Sequence, residues 1–277
     1  MATVAIIGAG DAGGATADAL ARAGGVDHVL LVDEARGVAA GKALDIRQAG
    51  AVTGSGTRLE GTDAILDVRG CDVCVVADAV RGGSAPGLGR LVQVAGAVGG
   101  APMVFAGADQ AEVLESASAD LALPWRRLAG AGGLAMASAA AALVAMEAAC
   151  SPREVSLTVL GAPGRGLVVP WSQAAISGMA LERVLAPPQV RRLDARLARL
   201  WPPGPHVRGV AAAHLVRAML TSSRQALPVL TMLEGVFGVR GRVGIVPARL
   251  SPAGIAAVVE PALAPRDLTA LHTALGW

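Results

Sequence analysis

The sequence predicts a doubly wound α/β fold in its first half. In the first half, short apolar runs alternate with segments of helical periodicity, and a glycine-rich turn joins the first run to the first helical segment. Such alternation predicts a parallel sheet with right-handed crossovers. The 277 residues are enough for one large or two ordinary domains.

The predicted strands of the first half are continuous apolar runs, which is typical of parallel strands covered on both faces. In chain order they read TVAIIGAG, HVLLVDE, CDVCVVADA and APMVFAGA. Helical spacing is found in the intervening segments DAGGATADALARAGG, AAGKALDIRQAG and GLGRLVQVAGAVGG. Strands and helices should therefore alternate through most of residues 1–130.

A charge-free segment follows at residues 128–146, which read LAGAGGLAMASAAAALVAM. Its length is about that of a segment crossing a bilayer. Most of it is alanine and glycine, however, and these residues gain little from transfer into lipid. We therefore expect a buried helix here and no membrane span.

Composition excludes several classes of function. The net charge is only +2 and the basic residues are scattered, so no nucleic-acid surface is indicated. The three cysteines and four histidines show no metal-ligand spacing, and we expect no metal site. Cys71 and Cys74 lie in an apolar run and are interpreted as buried thiols, with a redox pair as the alternative. The first strand begins directly after Met1, which leaves no room for a signal peptide and indicates a cytoplasmic protein.

The first turn carries a G-x-G-x-x-G motif formed by Gly8, Gly10 and Gly13, and Asp33 follows 20 residues after the third glycine. Glycines allow the backbone to approach a pyrophosphate, and the helix start favours its charge. An acid at the end of the second strand accepts hydrogen bonds from a ribose and disfavours a 2′-phosphate, so NAD is favoured over NADP. The predicted cofactor-binding residues of this turn and strand are Gly8, Gly10, Asp11, Ala12, Gly13 and Asp33.

Five strings extend over nearly the whole chain in one order: VAIIGAGDAGGATADALA, VLLVDEARGVAAGKALDIRQA, SPREVSLTVLGAPG, LPVLTMLEGVFGVRGRVGIVPARL and GIAAVVE. In content and spacing they resemble the NAD-dependent malate and lactate dehydrogenases, and malate dehydrogenase most closely. The resemblance implies a Rossmann-type dinucleotide-binding domain over residues 1–130 and a mixed α+β substrate-type domain over 131–277. It also implies homodimers or homotetramers.

The residues that carry out the family's chemistry are missing from the matching positions. The family's turn reads like G-H-G-D, and its histidine exchanges a proton while hydride moves. Pro163 stands there in this chain, and its side chain has no ionisable group. In the family's L-D-S-A-R-like string the aspartate orients the histidine and the arginine binds the substrate carboxylate. Met136 and Ala139 occupy those two positions.

Two carboxylates are expected near the cofactor. The family's alanine and glycine after the VVV strand pass close to it, whereas this chain has Ala77, Asp78 and Ala79 there. A family asparagine beside the nicotinamide and substrate best matches Asp109. The two acids should oppose binding of an anionic cofactor and substrate.

The family's mobile loop, which reads like P-R-K-P-G-M-S-R, closes its arginines over the substrate. Arg90 matches the arginine that polarises the substrate carbonyl, and Arg81 matches the earlier one. The alternative is that both are solvated surface residues. His206 is the only plausible replacement for the missing proton donor.

Three functions remain open at this point. The chain is a pseudoenzyme that keeps an NAD-binding scaffold, an active NAD-dependent malate or other 2-hydroxy acid dehydrogenase with a relocated proton donor, or a protein that no longer binds a dinucleotide. Loss of general acid–base catalysis alone costs about 10²–10⁴-fold in rate. The pseudoenzyme is therefore favoured, with a binding, regulatory or structural role and with NAD bound weakly or lost. A hetero-oligomer with another protein stays open as well.

Overall fold

A computed structural model of the chain describes residues 1–80 and 88–276. The helices are α1 (Asp11–Ala23), α2 (Val38–Thr53), α3 (Leu88–Val98), α4 (Gln110–Ala119), α5 (Gly132–Ala148), α6 (Leu181–Val184), α7 (Pro187–Leu197), α8 (Pro205–Leu220) and α9 (Pro265–Leu275). The strands are β1 (Thr3–Ile7), β2 (His28–Val32), β3 (Arg58–Thr62), β4 (Val73–Val76), β5 (Met103–Phe105), β6 (Leu128–Gly130), β7 (Val155–Ser156), β8 (Leu160–Ala162), β9 (Gly166–Val168), β10 (Ala175–Ile176), β11 (Met179–Ala180), β12 (Leu227–Glu234), β13 (Arg240–Ser251) and β14 (Gly254–Val258).

One large sheet runs through both halves of the described chain, in the order β3-β2-β1-β4-β5-β6-β12-β13-β8-β9, with β14 paired to β13. The strands from β1 to β6 are parallel, and the later pairings are antiparallel. The predicted fold class, a doubly wound parallel sheet followed by a mixed α+β part, is confirmed. The order of the parallel strands reverses between β1 and β4.

The register of the parallel strands brings three chain segments to one edge of the sheet. Ile7 pairs with Val76, and Val76 pairs with Phe105. The residues that follow these strands therefore emerge side by side at their carboxyl ends. In doubly wound folds a ligand binds in the crevice outside this edge, at the point where the strand order reverses.

Residues 132–146 of the charge-free segment form most of α5, so the predicted buried helix is confirmed there, whereas Leu128–Gly130 at its start form strand β6 instead. Ala135, Met136, Ala140 and Val144 are completely inaccessible to solvent. Within residues 1–80 and 88–276 no helix is both long and apolar enough to cross a membrane.

Cys71 and Cys74 are buried free thiols, as predicted, in the core on the side of the sheet covered by α3 and α4. Burial raises the pKa of Cys71 to about 11 and raises that of Cys74 as well. A redox cysteine needs a lowered pKa and access to solvent. The redox alternative is thus disfavoured by the environment of both thiols.

The two halves of the chain are tied together where α8 crosses α1. Gly209 permits this close approach, because a Cβ at that position would lie 2.5 Å from the carbonyl oxygen of Ala12 and 2.9 Å from the amide nitrogen of Thr16. Both neighbours are backbone atoms of α1, which cannot rotate out of the way. The separation of the two helices is therefore set by the absence of a side chain at one position.

We expect Gly209→Ala to destabilise the protein by about 1–3 kcal/mol, because the added methyl group forces α8 away from α1. Gly96→Ala in α3 is the matched control, since nothing lies within 4 Å of its Cβ position. There the same change should stabilise the helix by about 0.5–1 kcal/mol. Urea unfolding measures the change in the free energy of unfolding for both variants. Equal effects of the two substitutions would contradict the tight contact.

Candidate functional site

The glycine turn between β1 and α1 is packed against the end of β4. A Cβ at Gly8, whose φ is +98°, would lie 2.4 Å from the carbonyl oxygen of Ala77, and one at Gly13 would lie 1.9 Å from the carbonyl oxygen of Gly8. The Gly10 amide donates to the Asp78 carbonyl oxygen over 3.0 Å. No side chain of the described residues caps the start of α1. First-turn amides of such a helix are available to an anion.

Lys42, the only lysine of the chain, lies beside this turn. Its Nζ donates to the Gly10 carbonyl oxygen over 3.2 Å, and its side chain crosses the open face of Gly14. Asp11 is exposed on the first turn of α1, whereas Ala12 is buried. The ammonium group thus places a positive charge where an anion would meet the helix start. The position of this lysine against the glycine turn was not predicted from the sequence.

Asp33 follows β2 and is only 1% exposed. Its carboxylate accepts hydrogen bonds from the amides of Ala9 at 2.8 Å, Ala35 at 2.9 Å and Val80 at 3.1 Å. The acid is therefore held at the glycine turn, at the edge where the sequence places it. Of the described residues only the Ala35 amide is bonded to Oδ1, so this oxygen keeps the capacity for a further donor.

Asp78, at the end of β4, is neutralised by an arginine from the other half of the chain. Its Oδ1 accepts from the Ala108 amide at 3.0 Å, and its Oδ2 accepts from Nη2 of Arg208 at 2.9 Å. Nη1 of the same guanidinium donates to the Ala106 carbonyl oxygen at 2.9 Å. Arg208 is 4% exposed. The expectation that Asp78 adds uncompensated negative charge is wrong, because α8 supplies a counter-ion that sequence reasoning missed.

Asp109 stands at the start of α4, close to Asp78. Atom Oδ1 of each acid comes within 3.2 Å of the Cβ position of Gly107. Together with Gln110 they line a cavity of about 10 Å³. That volume is about what one water molecule needs. Beside this pair of acids, Ala77 is buried and Ala79 is partly exposed.

Pro163 lies in the tight turn that joins β8 to β9, and it is partly exposed. Arg165 is the one residue of residues 162–165 with an ionisable side chain. Its guanidinium is directed to the C-terminal end of α9, with Nη1 3.3 Å from the Cβ position of Gly276. The turn therefore presents no group that exchanges protons near neutral pH.

Apolar side chains cover the two α5 positions that the family resemblance singled out. Met136 is completely buried in a cluster that contains Val159, on the segment leading to the β8–β9 turn, and Leu197. Ala139 is partly exposed, one helical turn further along. Trp201 packs beside the cluster, and its Cη2 would lie 2.6 Å from a Cβ at Gly132. Met136 and the segment before Pro163 are thus brought together, but in a dry environment.

The remaining candidates are spread over the site. Arg81 lies outside the described residues. Arg90, in the first turn of α3, forms an ion pair with Glu34, and its side chain is 18% exposed. Arg90 is therefore paired at the β2 end of the site rather than freely solvated. His206 is exposed in the first turn of α8.

Removing one member of the Asp78–Arg208 pair should be costly. Arg208→Met leaves a carboxylate largely buried without its counter-ion, and we expect a loss of about 3–5 kcal/mol in unfolding free energy. Arg208→Met combined with Asp78→Ala should lose less than Arg208→Met alone. The exposed Asp18–Arg22 pair is the control, and Arg22→Ala should cost only about 0.3–0.5 kcal/mol. If the losses in unfolding free energy of Arg208→Met and of Asp78→Ala alone add up to the loss of the double variant, the two side chains do not interact.

Comparisons with known proteins cover almost the whole chain. No family model matches. Malate dehydrogenase of Methanosarcina mazei is 28% identical over 284 residues, which cover 94% of this chain and 91% of that protein. Malate dehydrogenase of Myxococcus xanthus is 30% identical over 277 residues, with 91% of this chain and 87% of that protein covered.

Solved structures agree in fold. Malate dehydrogenase from Aeropyrum pernix superposes with a TM-score of 0.89 at 21% identity, over 99% of this chain and 95% of that one. Lactate dehydrogenase of Cryptosporidium parvum, solved with lactic acid and nicotinamide adenine dinucleotide, has a TM-score of 0.89 at 21% identity over the same shares of both chains. With a 30% identical relative matched over most of both lengths, the chain belongs to the malate/lactate dehydrogenase family.

Proposed function

We propose that this chain is a catalytically inactive member of its family, which keeps a nucleotide-binding scaffold and serves a binding, regulatory or structural role. The observation that carries the proposal is the β8–β9 turn, where Pro163 takes the position of the family's proton donor. Residues 1–130 would form the nucleotide-binding domain and residues 131–277 the substrate-type domain. We also propose that the protein works in the cytoplasm.

Proton transfer is the first function that the chain lacks. Hydride transfer to the carbonyl carbon of a 2-oxo acid leaves an alkoxide, which must take up a proton. Pro163 has no ionisable proton to give, and a guanidinium side chain such as that of Arg165 is not a general acid in proteins. The apolar cluster around Met136 offers no group that would orient a donor. The missing step is therefore not supplied by the neighbours of the turn.

Substrate binding is the second function that the chain lacks. A 2-oxo acid carries a carboxylate that needs a fixed cation, and Ala139 cannot provide one. Arg90 is already paired with Glu34. Trp201 packs against the start of α5 and against the apolar cluster that contains Met136. These features disfavour a small anionic substrate in this pocket.

NAD is the cofactor that the family relationship suggests, and the residues present fit only part of it. The glycine turn, Lys42 and Asp33 suit a ribose and a diphosphate. At the ends of β4 and β5, where the other nucleotide half would extend, the Asp78–Arg208 pair is bonded to the backbone. The side chains there do not match the nicotinamide half of the cofactor.

We expect no NADH oxidation above background when the protein is assayed with oxaloacetate, pyruvate or hydroxypyruvate. Pro163→His alone should stay inactive as well, because Met136 cannot orient the new imidazole and Ala139 cannot hold the substrate. The fall in NADH absorbance measures the rate of NADH oxidation by both proteins, and an active malate dehydrogenase is the positive control.

The competing hypothesis is an active enzyme with a relocated proton donor, and it makes the opposite prediction. His206 is exposed at the start of α8 and is the candidate donor. Robust turnover by the unmodified protein that disappears in His206→Ala would replace the pseudoenzyme proposal. Turnover that survives His206→Ala would overturn both assignments.

We further propose a homodimer or larger homo-oligomer built on α2, the helix that the family resemblance places at a two-fold interface. Leu44 on this helix is 52% exposed, and a groove of about 380 Å³ runs between α2 and β3. Leu44→Arg should give a monomer, whereas Val92→Arg, at a comparably exposed site on α3, should not. Light scattering at protein concentrations of tens of micromolar measures the molar mass of the unmodified protein and of both variants. A monomeric unmodified protein would refute the proposal, and an added second protein that forms a complex would favour a hetero-oligomer.

A further inference from the structure

The nucleotide crevice of this fold has two halves, and they differ in this chain. A doubly wound sheet binds a dinucleotide across the point where the strand order reverses, with one mononucleotide unit on each side. Here the reversal lies between β1 and β4. The first half is formed by β1, α1 and β2, and the second half lies beyond the ends of β4 and β5.

The second half is occupied by the chain itself. Arg208 reaches across from α8 and joins the Asp78 side chain at the end of β4 to the Ala106 carbonyl oxygen at the end of β5. The two side chains are 5% and 15% exposed. Gly209, the next residue, packs against the backbone of α1 and fixes α8 in place. The guanidinium is therefore held in the crevice by contacts on both sides.

We infer that the site accepts a nucleoside diphosphate, such as ADP, and excludes a complete dinucleotide. This inference rests on the proposed retention of a nucleotide site. A second mononucleotide unit would have to displace Arg208 from Asp78, which leaves a charge without its partner in a largely buried place. Separating such a pair is strongly unfavourable. A ligand that ends at the diphosphate does not meet this cost.

The first half keeps the features that a diphosphate and a ribose need. The uncapped start of α1 offers backbone amides, and Lys42 places its ammonium group 3.2 Å from the Gly10 carbonyl oxygen. Asp33 is oriented by the amides of Ala9 and Ala35. A ribose hydroxyl would donate to Oδ1 of this carboxylate, which among the described residues accepts only the Ala35 amide.

Calorimetric titration of the unmodified protein with ADP and with NADH tests the inference directly. In a site that uses both halves, NADH gains from contacts that ADP lacks. We expect the reverse here, with the Kd of ADP at least tenfold lower than that of NADH. A difference below tenfold, tighter binding of NADH, or no binding of either ligand would overturn the inference.

Lys42 reports where ADP binds, because the chain has no other lysine. Amine labelling followed by peptide mass spectrometry should show at least fivefold protection of Lys42 by saturating ADP. The N-terminal amine serves as the internal control. Binding of ADP without protection of Lys42 would place the ligand elsewhere and contradict the inference.

A double variant tests the role of the ion pair. Asp78→Ala with Arg208→Ala removes both charges and should lower the Kd of NADH at least tenfold while that of ADP changes less than threefold. Glu147→Ala with Arg192→Ala removes an exposed pair and should change neither value. If the Asp78/Arg208 variant does not fold, the titrations of the unmodified protein still decide. The two proposals fail separately. Turnover of a 2-oxo acid would refute the proposal that the protein is inactive, whereas the ADP and NADH titrations test only which nucleotide the site binds.

Discussion

The ion pair between Asp78 and Arg208 is the constraint on which the arrangement of this site depends. It joins residues that are 130 positions apart and links the edge of the parallel sheet to a helix of the other half. The same guanidinium binds the backbone beyond β5, and the neighbouring Gly209 seats α8 on α1. Two adjacent residues of α8 thus link the halves, Gly209 through a close backbone contact and Arg208 through its bonds to Asp78 and Ala106.

Other positions of the site also carry apolar side chains. Dehydrogenase chemistry on a 2-oxo acid needs polar groups that are fixed in a dry pocket, and such groups are costly to bury unless they are paired. Here Met136 lies in an apolar cluster, Trp201 covers the start of α5, and Pro163 closes the turn. Apolar clusters and paired charges of this kind are stable without a bound ligand.

Local pattern predicted the fold well. Continuous apolar runs identified β1, β2, β4 and β5, the glycine spacing identified the turn against β4, and the charge-free segment identified α5 as buried. The parallel strands β3 and β6 were not predicted, because β3 is polar and β6 lies within the charge-free segment. Long-range partners were not accessible in the same way. Nothing near Arg208 in sequence indicates that it faces Asp78, so the acid was expected to repel ligands. The position of Trp201 against Gly132 and that of Lys42 against Gly14 likewise depend on how distant elements pack. Periodicity describes which face is buried, but not which polar atoms meet across it.

The three backbone amides bonded to Asp33 make this residue important for folding as well as for ligand binding. Ala9, Ala35 and Val80 belong to three separate segments, and each would lose its acceptor if the acid were replaced. Unsatisfied buried amides are costly, at about 1–3 kcal/mol each. Selection for folding alone is therefore sufficient to retain this acid. Asp33 is thus a structural residue of this chain, holding three segments together through one carboxylate, as well as a candidate acceptor for a ribose hydroxyl.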